Sequence, residues 1–140
     1  MPMRKEITIS NRIDELRKVE ALVEEISREL HFDTEMKMNI GLALEETVSN
    51  VICYAYPQGT EASITLIAES DGHELTFVVS DQGRKFDPTL SKEPDIDISP
   101  AEREIGGMGI FIVKNIMNEV TYQRLNGKNL LTMKKRLNKQ

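Results

Sequence analysis

A chain of 140 residues, 39% hydrophobic and 29% charged, is long enough to bury a core and ordinary for one globular domain. A net charge of −5 lacks the basic footprint of a general nucleic-acid binder. One cysteine, Cys53, excludes an internal disulfide and a cysteine-rich zinc site, and His31 and His73 lack ligand spacing. The N-terminus has no apolar run like a signal peptide, and no segment approaches the roughly 18 apolar residues of a membrane span. The expectation is a single-domain cytoplasmic protein with no membrane segment and no direct nucleic-acid contact.

Residues 5–10 alternate polar and apolar and predict a short strand. Asn11 can cap the helix that follows, with Asp14 and Glu15 in its first turn. Ile13, Leu16, Val19, Val23, Ile26 and Leu30 recur at spacings of three and four, an apolar stripe suited to packing on a sheet. His31-Phe32-Asp33 breaks the pattern, and Asp33 is placed to cap a second helix with Glu35 in its first turn. Its stripe is Met36, Ile40, Ala43, Leu44, Thr47, Val48, Val51 and Ala55, ending near Pro57-Gln58-Gly59.

Residues 62–68 and 75–79 alternate around Ser70-Asp71-Gly72-His73, which predicts a hairpin whose second strand ends at Ser80-Asp81-Gln82-Gly83. Residues 84–105 are polar and irregular, with Pro88, Pro94 and Pro100 and an acidic run at Glu93, Asp95 and Asp97. So long a loop in a small domain is usually functional or disordered. Gly106-Gly107-Met108-Gly109 then opens a third helix, and two strands joined at Asn126-Gly127 finish the chain. The order β-α-α-β-β-loop-α-β-β, rich in hairpins, predicts an α+β fold. It is a two-layer sandwich with a largely antiparallel, mixed sheet and helices on one face.

Three local patterns carry possible chemistry. Glu46 and Asn50, four apart, share one face of an otherwise apolar helix. A carboxylate there can orient or deprotonate a hydroxyl, and a carboxamide oxygen suits a hard cation such as Mg²⁺; the same pair also fits a plain polar seam. Asp81 closes a strand where it can accept a hydrogen bond from an exocyclic amine such as that of adenine, although Asp-x-Gly is also an ordinary turn. The glycines at 106, 107 and 109 permit close backbone approach, and the N–H groups of a helix N-terminus favour phosphate. The glycine run is not a P-loop, and it does not follow a strand within a β-α-β unit as a dinucleotide site would.

In this order the patterns resemble the Bergerat ATP-binding fold of the GHKL superfamily. Within it they are most similar to the small anti-sigma factor serine/threonine kinases of bacterial stress-response and sporulation switches. Ala43-Leu44-Glu45-Glu46-Thr47-Val48-Ser49-Asn50-Val51 resembles the N box of these proteins. Ser80-Asp81-Gln82-Gly83-Arg84-Lys85-Phe86-Asp87-Pro88 resembles their first glycine box and Gly106-Gly107-Met108-Gly109-Ile110-Phe111-Ile112-Val113 their second. The likeness runs over roughly residues 7–137, with an ATP lid at about 84–107.

The resemblance implies ATP and Mg²⁺ as cofactors. Glu46 would be the catalytic carboxylate and Asn50 the Mg²⁺ ligand. Asp81 would bind the adenine amine and Gly83 would give room for the base. Gly107 and Gly109 would let backbone wrap the phosphates with Met108 packed nearby, and Thr132 would lie on a central strand near the adenine. Two positions depart from the pattern: Lys85 stands where many relatives have glycine, and Tyr54 where many have histidine. The implied activity is phosphorylation of an anti-anti-sigma (STAS-type) protein by a homodimer that otherwise sequesters a sigma factor. The dimer surface would be the first strand and first helix. A regulatory module that binds nucleotide without phosphoryl transfer is the alternative.

Overall fold

Period-two hydrophobicity along the strands decides which face of the sheet is covered. The computed structural model describes residues 2–90 and 107–137. Within them the elements follow the expected order: β1 (Met3–Ser10), α1 (Leu16–Leu30), α2 (Thr34–Tyr54), β2 (Ser63–Ser70), β3 (Glu74–Asp81), α3 (Gly107–Ile116), β4 (Glu119–Leu125) and β5 (Lys128–Arg136). The strands lie in the order β1-β2-β3-β5-β4. Every described pairing is antiparallel, so the described sheet is antiparallel rather than mixed: β1, β3 and β4 run the same way but never pair. The stretch containing α3 carries the chain past β5 to the far edge, and β5 returns between β3 and β4.

On the inner face Ile64, Leu66, Leu75, Phe77, Val79 and Met133 are buried, while their outward neighbours Thr65, Ile67, Val78 and Thr132 are only half-buried. Val19, Val23 and Ile26 from α1, Ile40, Leu44 and Val48 from α2, and Ile110 and Val113 from α3 close the core. Each such side chain contributes about 1.5–3 kcal/mol on burial. The result is the expected two-layer α+β sandwich.

The helix ends follow local chemistry in some places and distant partners in others. Asp33 caps α2, its Oδ1 accepting from the Met36 N–H at 2.7 Å. The helix ends three residues before Pro57, with the Ala55 N–H donating to the Val51 carbonyl. Asn11, by contrast, caps nothing. Its side chain donates to the Thr60 carbonyl and accepts from the Ala62 N–H, tying the end of β1 to the approach to β2. The chain enters α1 through a short 3-10 turn, Ile13–Glu15, where Ile13 is exposed, and Leu22, on the same face of α1 as Val19 and Ile26, joins the core.

Glu15 reaches back to accept from both the N–H and the hydroxyl of Ser10, and pairs with Lys18. These bonds, the Ser10 N–H foremost, lower its carboxyl to about 2. At the other end of α1, His31 adopts left-handed backbone with φ 57°, and the Phe32 N–H returns to the Ser27 carbonyl. That is a Schellman-type stop built without glycine. The β4–β5 turn follows the sequence signal: Asn126 and Gly127 have φ of 52° and 77°, as a type I′ hairpin requires. Among the described residues no helix is long and apolar enough to cross a membrane.

Candidate functional site

The second half of α2 is buried on one side by Leu44, Thr47, Val48 and Val51, which fixes the direction of the residues between them. Asn50 is 9% exposed, and its amide takes no hydrogen bond among the described residues. Glu46, one turn earlier, is half-buried. The neighbouring Glu45 is pushed above the usual carboxylate range by burial first, then by the charges of Glu20 and Glu46.

The first turn of α3 presses on this helix. A Cβ added at Gly109 would lie 2.7 Å from Glu46 Oε2 and 3.5 Å from Asn50 Nδ2. A side chain at 109 would have to push the Glu46 carboxylate aside, and the contact brings that carboxylate to a helix N-terminus, where negative charge is favoured. Glu46 and Asn50 share a face as their spacing anticipated, and the fold brings Gly109 to both. Of Gly107 and Met108 the helical backbone is described, and Gly106 with the rest of the expected lid, residues 91–106, lies outside the described residues.

Asp81 ends β3 and is 4% exposed. Its Oδ1 accepts from the Gly83 N–H at 2.9 Å and from Asn129 Nδ2 at 2.9 Å. Gly83 has a demand of its own: a Cβ there would sit 2.3 Å from the Ala55 carbonyl oxygen, which accepts from the Arg84 N–H at 2.8 Å. The glycine thus seats the end of β3 against the end of α2. Arg84 adds a bond from Nε to the Tyr54 carbonyl, and its guanidinium lies 5.8 Å from the Phe86 ring centroid. Lys85 is exposed.

Thr132 does not join this group. It pairs with Val78 and Thr121 on the outer face of the sheet, whereas Leu131 and Met133 point inward. Because side chains alternate along a strand, a motif match displaced by one residue lands on the wrong face. The inward residue at the start of β5 is Asn129, opposite Asp81. The same alternation, counted back from Met133 and Leu131, would have found it. Tyr122 and Arg124, both of which donate to Asn129 Oδ1, carried no sequence signal of their own.

Asn50 and Asp81 line one hollow, closed by Phe86, Pro88, Ile110 and Asn129. Its volume is about 20 Å³, enough for a single water. Among the described residues no cluster of His, Cys, Asp and Glu is suited to hold a metal by itself. The Asn50 amide and the Glu46 carboxylate nevertheless fit Mg²⁺, which takes one or two protein oxygens and completes its shell with phosphate and water.

Residues 9–135 match the histidine kinase-like ATPase domain family. The chain belongs to that family. Among similar proteins, the serine/threonine-protein kinase BtrW of Bordetella bronchiseptica is 26% identical over 111 residues, covering 79% of this chain and 78% of the relative. The serine-protein kinase RsbW of Halalkalibacterium halodurans is 27% identical over 126 residues, covering 87% and 76%. RsbW of Staphylococcus epidermidis is 34% identical over 92 residues, and there the match spans 61% of this chain and only 57% of the relative. The RsbU and RsbW domains of Rv1364c from Mycobacterium tuberculosis superpose with a TM-score of 0.69 at 19% identity, covering 96% of this chain and 32% of that one. That likeness establishes the fold and nothing finer.

Proposed function

We propose that this single-domain chain is a cytoplasmic, ATP-dependent protein serine/threonine kinase and anti-sigma factor. Its substrate is a STAS-type anti-anti-sigma protein, and phosphorylating it frees the kinase to sequester a sigma factor. Similar proteins named as serine kinases support the chemistry. The observation that carries most weight is the meeting of Gly109 with both Glu46 and Asn50.

In this reading Glu46 orients the substrate serine hydroxyl and takes its proton as the oxygen attacks the γ-phosphorus of ATP, with ADP leaving. Asn50 holds Mg²⁺ through its amide oxygen. When bound there, the ion would supply positive charge against the negative charge that develops in transfer. The N–H groups of the first turn of α3 favour the phosphates, and Gly107 and Gly109, with Met108 between them in sequence, give the backbone room to approach. Asp81 accepts from the adenine amine through Oδ2, which takes no described hydrogen bond, while Gly83 holds the end of β3 beside the base. Homodimerisation belongs to the same reading, through α1 and β1, an edge strand that Lys5 ties to Glu25 and Glu29 of α1.

The test is incubation with γ-labelled ATP and a candidate STAS protein. Label on a partner serine that disappears with Glu46→Ala supports the kinase. Tight ATP binding with no label on any partner refutes it in favour of a binding module.

A further inference from the structure

Asn129 uses its whole side chain. Its Nδ2 donates to Asp81 Oδ1 at 2.9 Å and to the Arg84 carbonyl at 2.8 Å. Its Oδ1 accepts from the Tyr122 hydroxyl at 2.5 Å, Arg124 Nη1 at 3.1 Å and the Phe86 N–H at 3.4 Å. The residue is 5% exposed, at the inward register position directly opposite Asp81. A buried amide with donors and acceptor all engaged has one orientation, because rotating it would leave several polar groups unpaired in the interior.

That fixed amide determines which oxygen of Asp81 is left to act. Oδ1 already receives Asn129 and the Gly83 N–H. Oδ2 receives no hydrogen bond among the described residues, and the carboxylate cannot exchange its two oxygens without breaking both bonds. Held so, Asp81 presents an acceptor and no donor. A 6-amino purine offers that acceptor an N–H. A 6-oxo purine turns a carbonyl lone pair toward it, and sites built to accept a substrate N–H reject such analogues strongly.

We propose that Asn129 is the positioning residue that makes this pocket selective for 6-amino over 6-oxo purine nucleotides, by locking the rotation of the Asp81 carboxylate. The inference rests on the reading of Asp81 as the adenine acceptor. It adds a residue that touches no substrate and acts only through Asp81. Tyr122 and Arg124 of β4 hold Asn129 from the far side, so the edge strand helps determine base choice.

The experiment titrates ATP and ITP against the full chain, and the readout is the ratio of the two affinities, in which the ionisation of the shared triphosphate cancels. The wild type favours ATP by on the order of 100-fold or more. Asn129→Ala, folded by circular dichroism, reduces that ratio at least tenfold. Asn129→Asp keeps the shape and the acceptor but sets a second carboxylate against Asp81. Two such groups share a proton as pH falls, and the resulting O–H restores the lost donor. Its ratio is therefore low at pH 8 and recovers several-fold at pH 5.5, while the wild-type ratio stays flat. The other charged or titratable groups around the pair are Tyr122, Arg124, Arg84 and Tyr56.

Asp81→Asn separates the two layers of the reading. If the wild type discriminates and Asp81→Asn removes the preference, yet both folded Asn129 variants keep it, the role given to Asn129 is overturned and Asp81 stands. If the wild type shows no preference and Asp81→Asn changes nothing, the adenine reading itself fails. Loss of fold in both Asn129 variants at both pH values would make Asn129 a framework residue and would also overturn the proposal.

Discussion

Replacing Gly83 with alanine tests the junction on which the pocket is built. The new Cβ would start 2.3 Å from the Ala55 carbonyl oxygen, and 2.7 Å from the Ala55 Cβ, so the end of β3 and the end of α2 must separate by about 1 Å to reach ordinary contact. Overpacking of this kind costs about 1–3 kcal/mol. The movement also weakens the Arg84 N–H bond to the Ala55 carbonyl, a further net loss of about 0.5–1.5 kcal/mol. Against this, alanine reduces the entropy of the unfolded chain, a gain of about 0.4–1 kcal/mol. The net expectation is a loss of about 2–3 kcal/mol, read in differential scanning calorimetry as a melting temperature lower by about 4–12 °C. Gly41→Ala is the internal control: it lies within α2, and its Cβ would meet only Val23 at 3.9 Å, so it should stabilise by about 0.5–1 kcal/mol. Equal stability of Gly83→Ala and wild type would refute the close-approach account of that glycine.

Other consequences can be measured separately. His31→Gly removes the left-handed strain at the end of α1; about 1 kcal/mol of added stability and a melting temperature higher by about 2–4 °C are expected. Glu15 has a depressed folded-state pKa, so its stabilising effect is full above the ordinary carboxylate value of 4.5 and is lost as pH falls through about 2. Denaturant titrations over that range should therefore show a smaller dependence on pH for Glu15→Gln than for wild type, and lower stability of the variant at pH 7. Glu46→Gln should slow phosphoryl transfer by about 10²–10⁴-fold while leaving nucleotide affinity within a few-fold; comparable losses in both would count against its role as the base.

Much of this architecture was legible because each signal was local. Asp33 reads as a cap because its side chain bonds an N–H three residues on, and Asn126-Gly127 reads as a hairpin because few residue pairs accept two positive φ angles. The failures needed information from elsewhere in the chain. Asn11 has the right chemistry for a cap, but its partners are Thr60 and Ala62, about fifty residues away. Ile13 fits a helical stripe only if the helix begins there, and the intervening 3-10 turn shifts the face by part of a turn. Thr132 fits a motif in composition but not in register, and register is decided by pairing with β3 and β4. Glu46 and Asn50 lie within one helix, so their common face could be read directly. That Gly109 meets them is a contact between α2 and α3, visible only in the folded chain.

The narrowness of the hollow beside Asp81 has a kinetic meaning. Phe86, Pro88 and Ile110 leave a hollow of about 20 Å³, so on the proposed reading a purine ring would displace those side chains as it entered. Nucleotide capture at this site would then draw on an open arrangement, and the observed affinity would be the intrinsic one scaled by the fraction that is open. Association should be slower than simple encounter and steeply temperature-dependent, and a smaller side chain at Phe86 would speed it without altering which base is preferred.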